Sequence, residues 1–143
     1  MRKLIILSLF FAVASLGCTQ TSSQEKTSGN QPLMVTVYYF HGAYRCPTCK
    51  AIEANAKATV EKHFSAELLN GKVKFITVDV SQEANLQLAE KYQASGSALW
   101  VTRMADGKET MNDMTAFAFG SVKSDPAKFE TGLKDKIAAC LKP

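Results

Sequence analysis

From Leu33 onward the chain keeps changing its hydrophobic period, and that alternation restricts it to one fold class. Met34-Val35-Thr36-Val37-Tyr38-Tyr39-Phe40 is rich in β-branched and aromatic residues and predicts a strand. His41, Gly42 and Ala43 form a turn. A long stretch follows in which Cys49, Ile52, Ala56, Val60 and Phe64 recur every three or four residues, which predicts one helix ended by Asn70-Gly71. Val73–Val80 predicts the second strand, and a shorter helix over Glu83–Tyr92 carries Leu86, Leu88, Ala89 and Tyr92. Ala98–Met104 predicts the third strand. Asp106-Gly107 is a hairpin turn leading to a fourth strand at Lys108–Asn112. Ser124-Asp125-Pro126 starts a last helix with Phe129, Leu133, Ile137 and Cys140 on one face. The order is β-α-β-α-β-β-α, with Met114–Val122 apolar but of no clear period. Strands separated by helices are expected to run parallel and the hairpin antiparallel, giving an α/β fold on a mixed sheet of about four strands.

Within this pattern Cys46-Pro47-Thr48-Cys49 falls at the junction of the first strand and first helix. Proline at the first helical position puts Cys46 at the N-cap and Cys49 one turn inward. The sulfur of Cys46 then faces free backbone N–H groups at the positive end of the helix dipole, which favours thiolate over thiol. Arg45 and Lys50 add positive charge, and no carboxylate lies between Gly42 and Ile52. Cys49 is placed to attack a mixed disulfide at Cys46, so Cys46 is the expected nucleophile and Cys49 the resolving thiol. Three readings of the pair stay open: thiol–disulfide exchange, metal or cluster binding, and a redox-inert structural disulfide. His41 is a candidate base, third ligand or simple turn cap. Tyr44 and Arg45 flank the nucleophile and are candidates to touch a partner protein.

The N-terminal segment is an address. Arg2 and Lys3 precede an uncharged run, Leu4–Leu16, whose 13 residues would rise only about 20 Å as a helix against a hydrocarbon core of about 30 Å. A basic start, a short apolar run and small residues at its end describe a secretory signal peptide over residues 1–17. Ser15-Leu16-Gly17-Cys18 resembles the lipobox of bacterial lipoproteins, departing from it at Ser15, where leucine is usual. That resemblance implies acylation of Cys18 and attachment to a membrane of the bacterial cell envelope, on its periplasmic side; ordinary cleavage with Cys18 an incidental thiol is the alternative. Residues 18–32 hold nothing that could build a core and form a polar tether with a reach of about 20 Å, so the domain spans 33–143.

The succession of strand, C-x-x-C, helix, strand, helix, strand, hairpin and final helix resembles the thioredoxin family from Leu33 to Lys142. Cys46-Pro47-Thr48-Cys49-Lys50 carries the resemblance. Val78-Asp79-Val80 with the short helix to Tyr92 supports it, as do Ser95-Gly96-Ser97-Ala98-Leu99-Trp100-Val101 and Asp106-Gly107-Lys108. The resemblance implies a three-layer fold and thiol–disulfide oxidoreductase activity through a redox-active Cys46–Cys49 disulfide, with no other cofactor and no metal. It implies as partners exported protein thiols or disulfides and a redox partner protein. The chain departs from the family in three places. The cis-proline position is Ala98 or, with a one-residue slip, Ser97. Tyr44-Arg45 replaces the tryptophan before the first cysteine. Tyr39 or Phe40 replaces the strand aspartate that serves as a proton shuttle. A cis bond before a non-proline residue costs about 3–4 kcal/mol, so a trans bond is expected at Ala98.

Composition narrows the function classes. The chain has 143 residues with 17 Lys+Arg and 13 Asp+Glu. Without Arg2 and Lys3 the balance is 15 against 13, and the charges are scattered, which gives nucleic-acid binding no support. There is no glycine-rich phosphate loop and no second C-x-x-C. Cys140 is expected to be a buried small hydrophobe and His63 a solvated surface residue. Trp100, Phe117 and Phe119 are expected in the core. Two function classes remain: a membrane-tethered thiol–disulfide oxidoreductase, and a non-catalytic adaptor or metal-binding module on the same fold.

Overall fold

A computed structural model describes residues 32–143. The expected signal peptide over 1–17, Cys18 and the tether up to residue 31 lie outside the described residues. The order of elements is β1 (Met34–His41), α1 (Pro47–His63), α2 (Ser65–Leu69), β2 (Val73–Asp79), a single 3₁₀ turn (Glu83–Asn85) running into α3 (Leu86–Lys91), β3 (Ala98–Ala105), β4 (Lys108–Asp113), α4 (Thr115–Ser121) and α5 (Pro126–Cys140). The four strands form one sheet in the order β2-β1-β3-β4.

Strand direction corrects one expectation. β1 and β2 run parallel, but β3 is antiparallel to β1, although a helix separates it from β2. The reason is length. A parallel return must recross the sheet, about 23 Å for the seven residues of β2, whereas the six residues of α3 rise about 9 Å. The chain therefore turns at the end where β2 finished and re-enters the sheet from there. β4 follows through the Asp106-Gly107 turn, both residues having positive φ, as a two-residue hairpin of this hand requires.

Alternation along the strands sends side chains to two faces. Val35, Val37, Tyr39, Leu99 and Val101 point to one, where Ile52, Ala56 and Val60 of α1, Ala118 of α4, and Phe129, Leu133 and Ile137 of α5 bury them. Phe40, Val78 and the half-buried Tyr38, Ile76 and Trp100 point to the other, covered by Tyr92, Ala94 and Leu88 at the end of α3. Tyr92 is the hub of that thinner face, its ring tilted against Tyr38 and Phe40 and edge-on to Trp100, its hydroxyl bonding Thr102 Oγ1 at 2.9 Å. Helices thus cover both sides of a mixed sheet, a three-layer α/β arrangement consistent with the thioredoxin-like fold that the resemblance implies.

Two helical segments differ from expectation. The predicted single helix breaks at Phe64 (φ −131°, ψ 30°), which stays buried in the core while the backbone turns into α2. Met114–Val122 contains α4, seated by the Met114 N–H on Leu99 O at 2.8 Å and by Asp113 Oδ1 accepting from the Thr115 N–H at 2.8 Å.

Candidate functional site

β1 lies between β2 and β3, so its C-terminal end opens at the middle of one sheet edge. The chain leaves it through Gly42–Arg45 and enters α1 with Pro47 in the first turn. Cys46 is the N-cap, with extended backbone (φ −68°, ψ 159°), and its Sγ accepts the Cys49 N–H at 3.0 Å. No acidic residue sits in the first turn. Cys46 is exposed and Cys49 is 8% exposed. The two are joined by a disulfide, with Cα atoms 5.0 Å apart. One residue of the pair is therefore exposed with its sulfur on a helix amide, while the other is buried. Both follow from putting a proline between them at the start of a helix whose buried stripe begins at Cys49.

Beneath the motif stands Tyr39. It is fully buried on the α1 face of β1, and its hydroxyl donates to Cys49 O at 2.7 Å. Of the two residues that stand where the resemblance implies an aspartate, Tyr39 is the one turned toward the cysteines; Phe40 points to the opposite core. The Tyr39 hydroxyl also lies 3.4 Å from Ser97 Oγ, which ties the motif to the segment entering β3. Ala98 is the first residue of β3, paired with Phe40 and packed on the Tyr92 side. The described residues contain no cis peptide bond, so the bond before Ala98 is trans.

The charge around Cys46 is not as the sequence alone suggests. Arg45 forms an ion pair with Glu53, one residue beyond the carboxylate-free stretch, and both side chains are about three-quarters buried. Glu53 also accepts from Thr77 Oγ1 of β2 at 3.2 Å, and the Arg45 guanidinium carbon lies 5.7 Å from the centre of the Tyr39 ring. The positive charge expected from Arg45 is therefore answered by Glu53. The charge of Glu53 was in plain view, but its reach was not: Arg45 and Glu53 are eight residues apart, two helical turns, with Cys49 midway. Thr77, Glu53 and the Tyr39 hydroxyl belong to the site although nothing in the motif names them. Lys50 is exposed and adjoins Cys49.

Tyr44 is 99% exposed immediately before this pair. His41 ends β1 opposite Asp79 of β2, its Nδ1 3.0 Å from Gly42 O and its ring 6.2 Å from that of Tyr39. Asp79 accepts from the Ser81 hydroxyl and N–H, which hold its carboxyl below the usual carboxylate range, with a smaller contribution from His41. Among the described residues no three His, Cys, Asp or Glu side chains come close enough together to hold a metal ion.

The remaining candidates lie away from the motif. Cys140 is free and buried at the end of α5, and burial pushes its thiol pKa up. His63 is exposed but not idle: with Lys62 it bonds Glu130 of α5, at 2.6 and 2.7 Å, and those bonds hold the Glu130 carboxyl below its ordinary range. Trp100 and Phe117 pack against the two cores, but Phe119, expected inside, is 41% exposed.

No protein-family model matches this chain, and no curated protein matches it. Among solved structures, one described as the structure of a malarial protein is similar at 15% identity with a TM-score of 0.39, over 60% of this chain and 92% of that one.

Proposed function

We propose that this protein is a thiol–disulfide oxidoreductase of the bacterial cell envelope, acting on exported proteins through Cys46 and Cys49 and held to a membrane by an acylated Cys18. The observation that carries the reading is the inequality of the two sulfurs. Cys46 is exposed at a helix N-terminus with its Sγ on a backbone N–H, while Cys49 is buried one turn behind it. Helix-end amides and the dipole stabilise a thiolate at Cys46 once the pair is reduced. The tether rests on the sequence of residues 1–32, with its basic start, short apolar run and Ser15-Leu16-Gly17-Cys18.

The chemistry balances without another cofactor. A partner thiolate attacks Cys46 Sγ, the Cys46–Cys49 bond breaks, and Cys49 leaves as a thiolate and takes up a proton. The partner's second thiol, deprotonated, then attacks its own sulfur in the mixed disulfide and releases Cys46. Two electrons pass from partner to protein, and the reverse sequence passes them back. Tyr39 holds the carbonyl of Cys49 in the disulfide state, and a bond to the backbone rather than to the sulfur gives the turn carrying the resolving thiol an anchor that does not depend on the disulfide. Tyr44, fully exposed beside Cys46, is the contact we assign to the partner protein.

The test is a redox titration of the full chain against glutathione, with dithiothreitol-driven reduction of insulin followed alongside. We expect a single two-electron transition at Cys46/Cys49 and turnover abolished by Cys46→Ser. A pair that stays oxidised at every accessible potential would make the disulfide structural. Stoichiometric metal on the reduced protein with no turnover would make the domain a metal-binding module.

A further inference from the structure

We propose that the Arg45–Glu53 ion pair sets the redox poise of the dithiol, with Glu53 acting as a positioning residue that holds in check the positive charge Arg45 would otherwise direct at Cys46. This rests on the thiol–disulfide reading above and adds to it the residue that tunes the couple.

Four observations place the pair at the cysteines. Arg45 is the residue before Cys46. Its guanidinium lies over the ring of Tyr39, whose hydroxyl bonds Cys49 O. Its partner Glu53 is one helical turn beyond Cys49 on the same helix, so the ion pair joins the residue before the motif to the turn after it. Finally, Arg45 Nε is buried and has no hydrogen-bond partner among the described residues, so the guanidinium sits in a partly dry place, and among those residues Glu53 is its one ionic partner. Glu53 is itself held by Thr77 of β2.

The electrostatic consequence follows from distance and screening. A charge close to a thiol changes its thiolate population, and a charge partly shielded from water does so more than a solvated one. With Glu53 present, the guanidinium and carboxylate form a near-neutral pair that acts on the sulfurs as a dipole. Removing the carboxylate leaves an uncompensated positive charge on the residue next to Cys46. This stabilises the reduced, thiolate-bearing form and makes the couple more oxidising. Removing Arg45 leaves a net negative charge and does the opposite.

The experiment is a double-mutant cycle on the full chain, reading alkylation of each cysteine by peptide mass spectrometry on the reduced protein near pH 6, together with the glutathione equilibrium of the pair. Glu53→Gln should raise the Cys46 alkylation rate about fivefold and move the glutathione equilibrium toward the reduced form by a similar factor, the upper end of what a single charge that still touches solvent produces. Arg45→Met should lower both, and the double variant should return close to wild type. Opposite signs that cancel are not what loss of structure yields, and Arg45→Met tests the sign even if Glu53→Gln does not fold. Unchanged or parallel shifts in the two single variants, with the wild-type pair still cycling, overturn the inference and leave the oxidoreductase reading standing. A wild-type pair that does not cycle overturns both.

Discussion

At the scale of single residues, tyrosine hydroxyls do structural work on both faces of the sheet. Tyr39 serves the site. Tyr92 serves the other core, where burial and the nearby Glu109 raise its pKa to about 12, although its bond to Thr102 opposes the shift. The sign of the linkage is plain. An unfolded tyrosine ionises near 10, the folded one not until about 12, so the stability that neutral Tyr92 contributes is whole below pH 10 and is lost as pH rises toward 12. The unfolding free energies of wild type and Tyr92→Phe from urea titration, compared between about pH 9 and pH 11, should converge by about 1 kcal/mol. A constant gap would mean that Tyr92 ionises as freely in the native protein as in the unfolded one. At this scale the sequence was legible where one residue's type decides the outcome, as for Cys46 at the N-cap. It was silent where a side chain reaches across space, as Glu53 does to Arg45.

At the scale of elements, β-branched and aromatic runs together with the Asp106-Gly107 turn identified the strands, and capping identified the starts of α1 and α5, because Pro47 and Asp125-Pro126 act locally. It passed over α4 for a physical reason. That helix has seven residues, too few for a repeating stripe, and it buries Ala118 and Ser121 while leaving Phe119 outside. The break at Phe64 was hidden because Phe64 fits the apolar stripe on either side of it. The direction of β3 depended on the brevity of α3, which no period shows. Between α4 and α5 the packing is close: Phe117 lies on Gly132 and stacks with Phe129 at 6.2 Å, and a Cβ at Gly132 would come within 2.3 Å of the Phe117 ring. Alanine at a helix-interior glycine ordinarily gains about 1 kcal/mol. Here Gly132→Ala should instead destabilise by about 1 kcal/mol, since Phe117 must leave its stack to admit the methyl group. Urea denaturation checks this, and a stabilised variant would show that the ring moves freely.

At the scale of the whole molecule, the sheet order places the motif at the end of a central strand, with helices behind it and the segment entering β3 beside it. This arrangement leaves Cys46 free to meet a partner while Cys49 waits inside, and it gives the central claim its most direct measurement. In the full-length Cys49→Ser variant a mixed disulfide formed at Cys46 has no resolving thiol, so expression in a bacterial envelope should accumulate disulfide-linked adducts at Cys46 that reductant releases. Cys46→Ser should accumulate none at Cys49, which the core shields. Equal trapping by both variants, or none by Cys49→Ser, would contradict the assignment of Cys46 as the nucleophile.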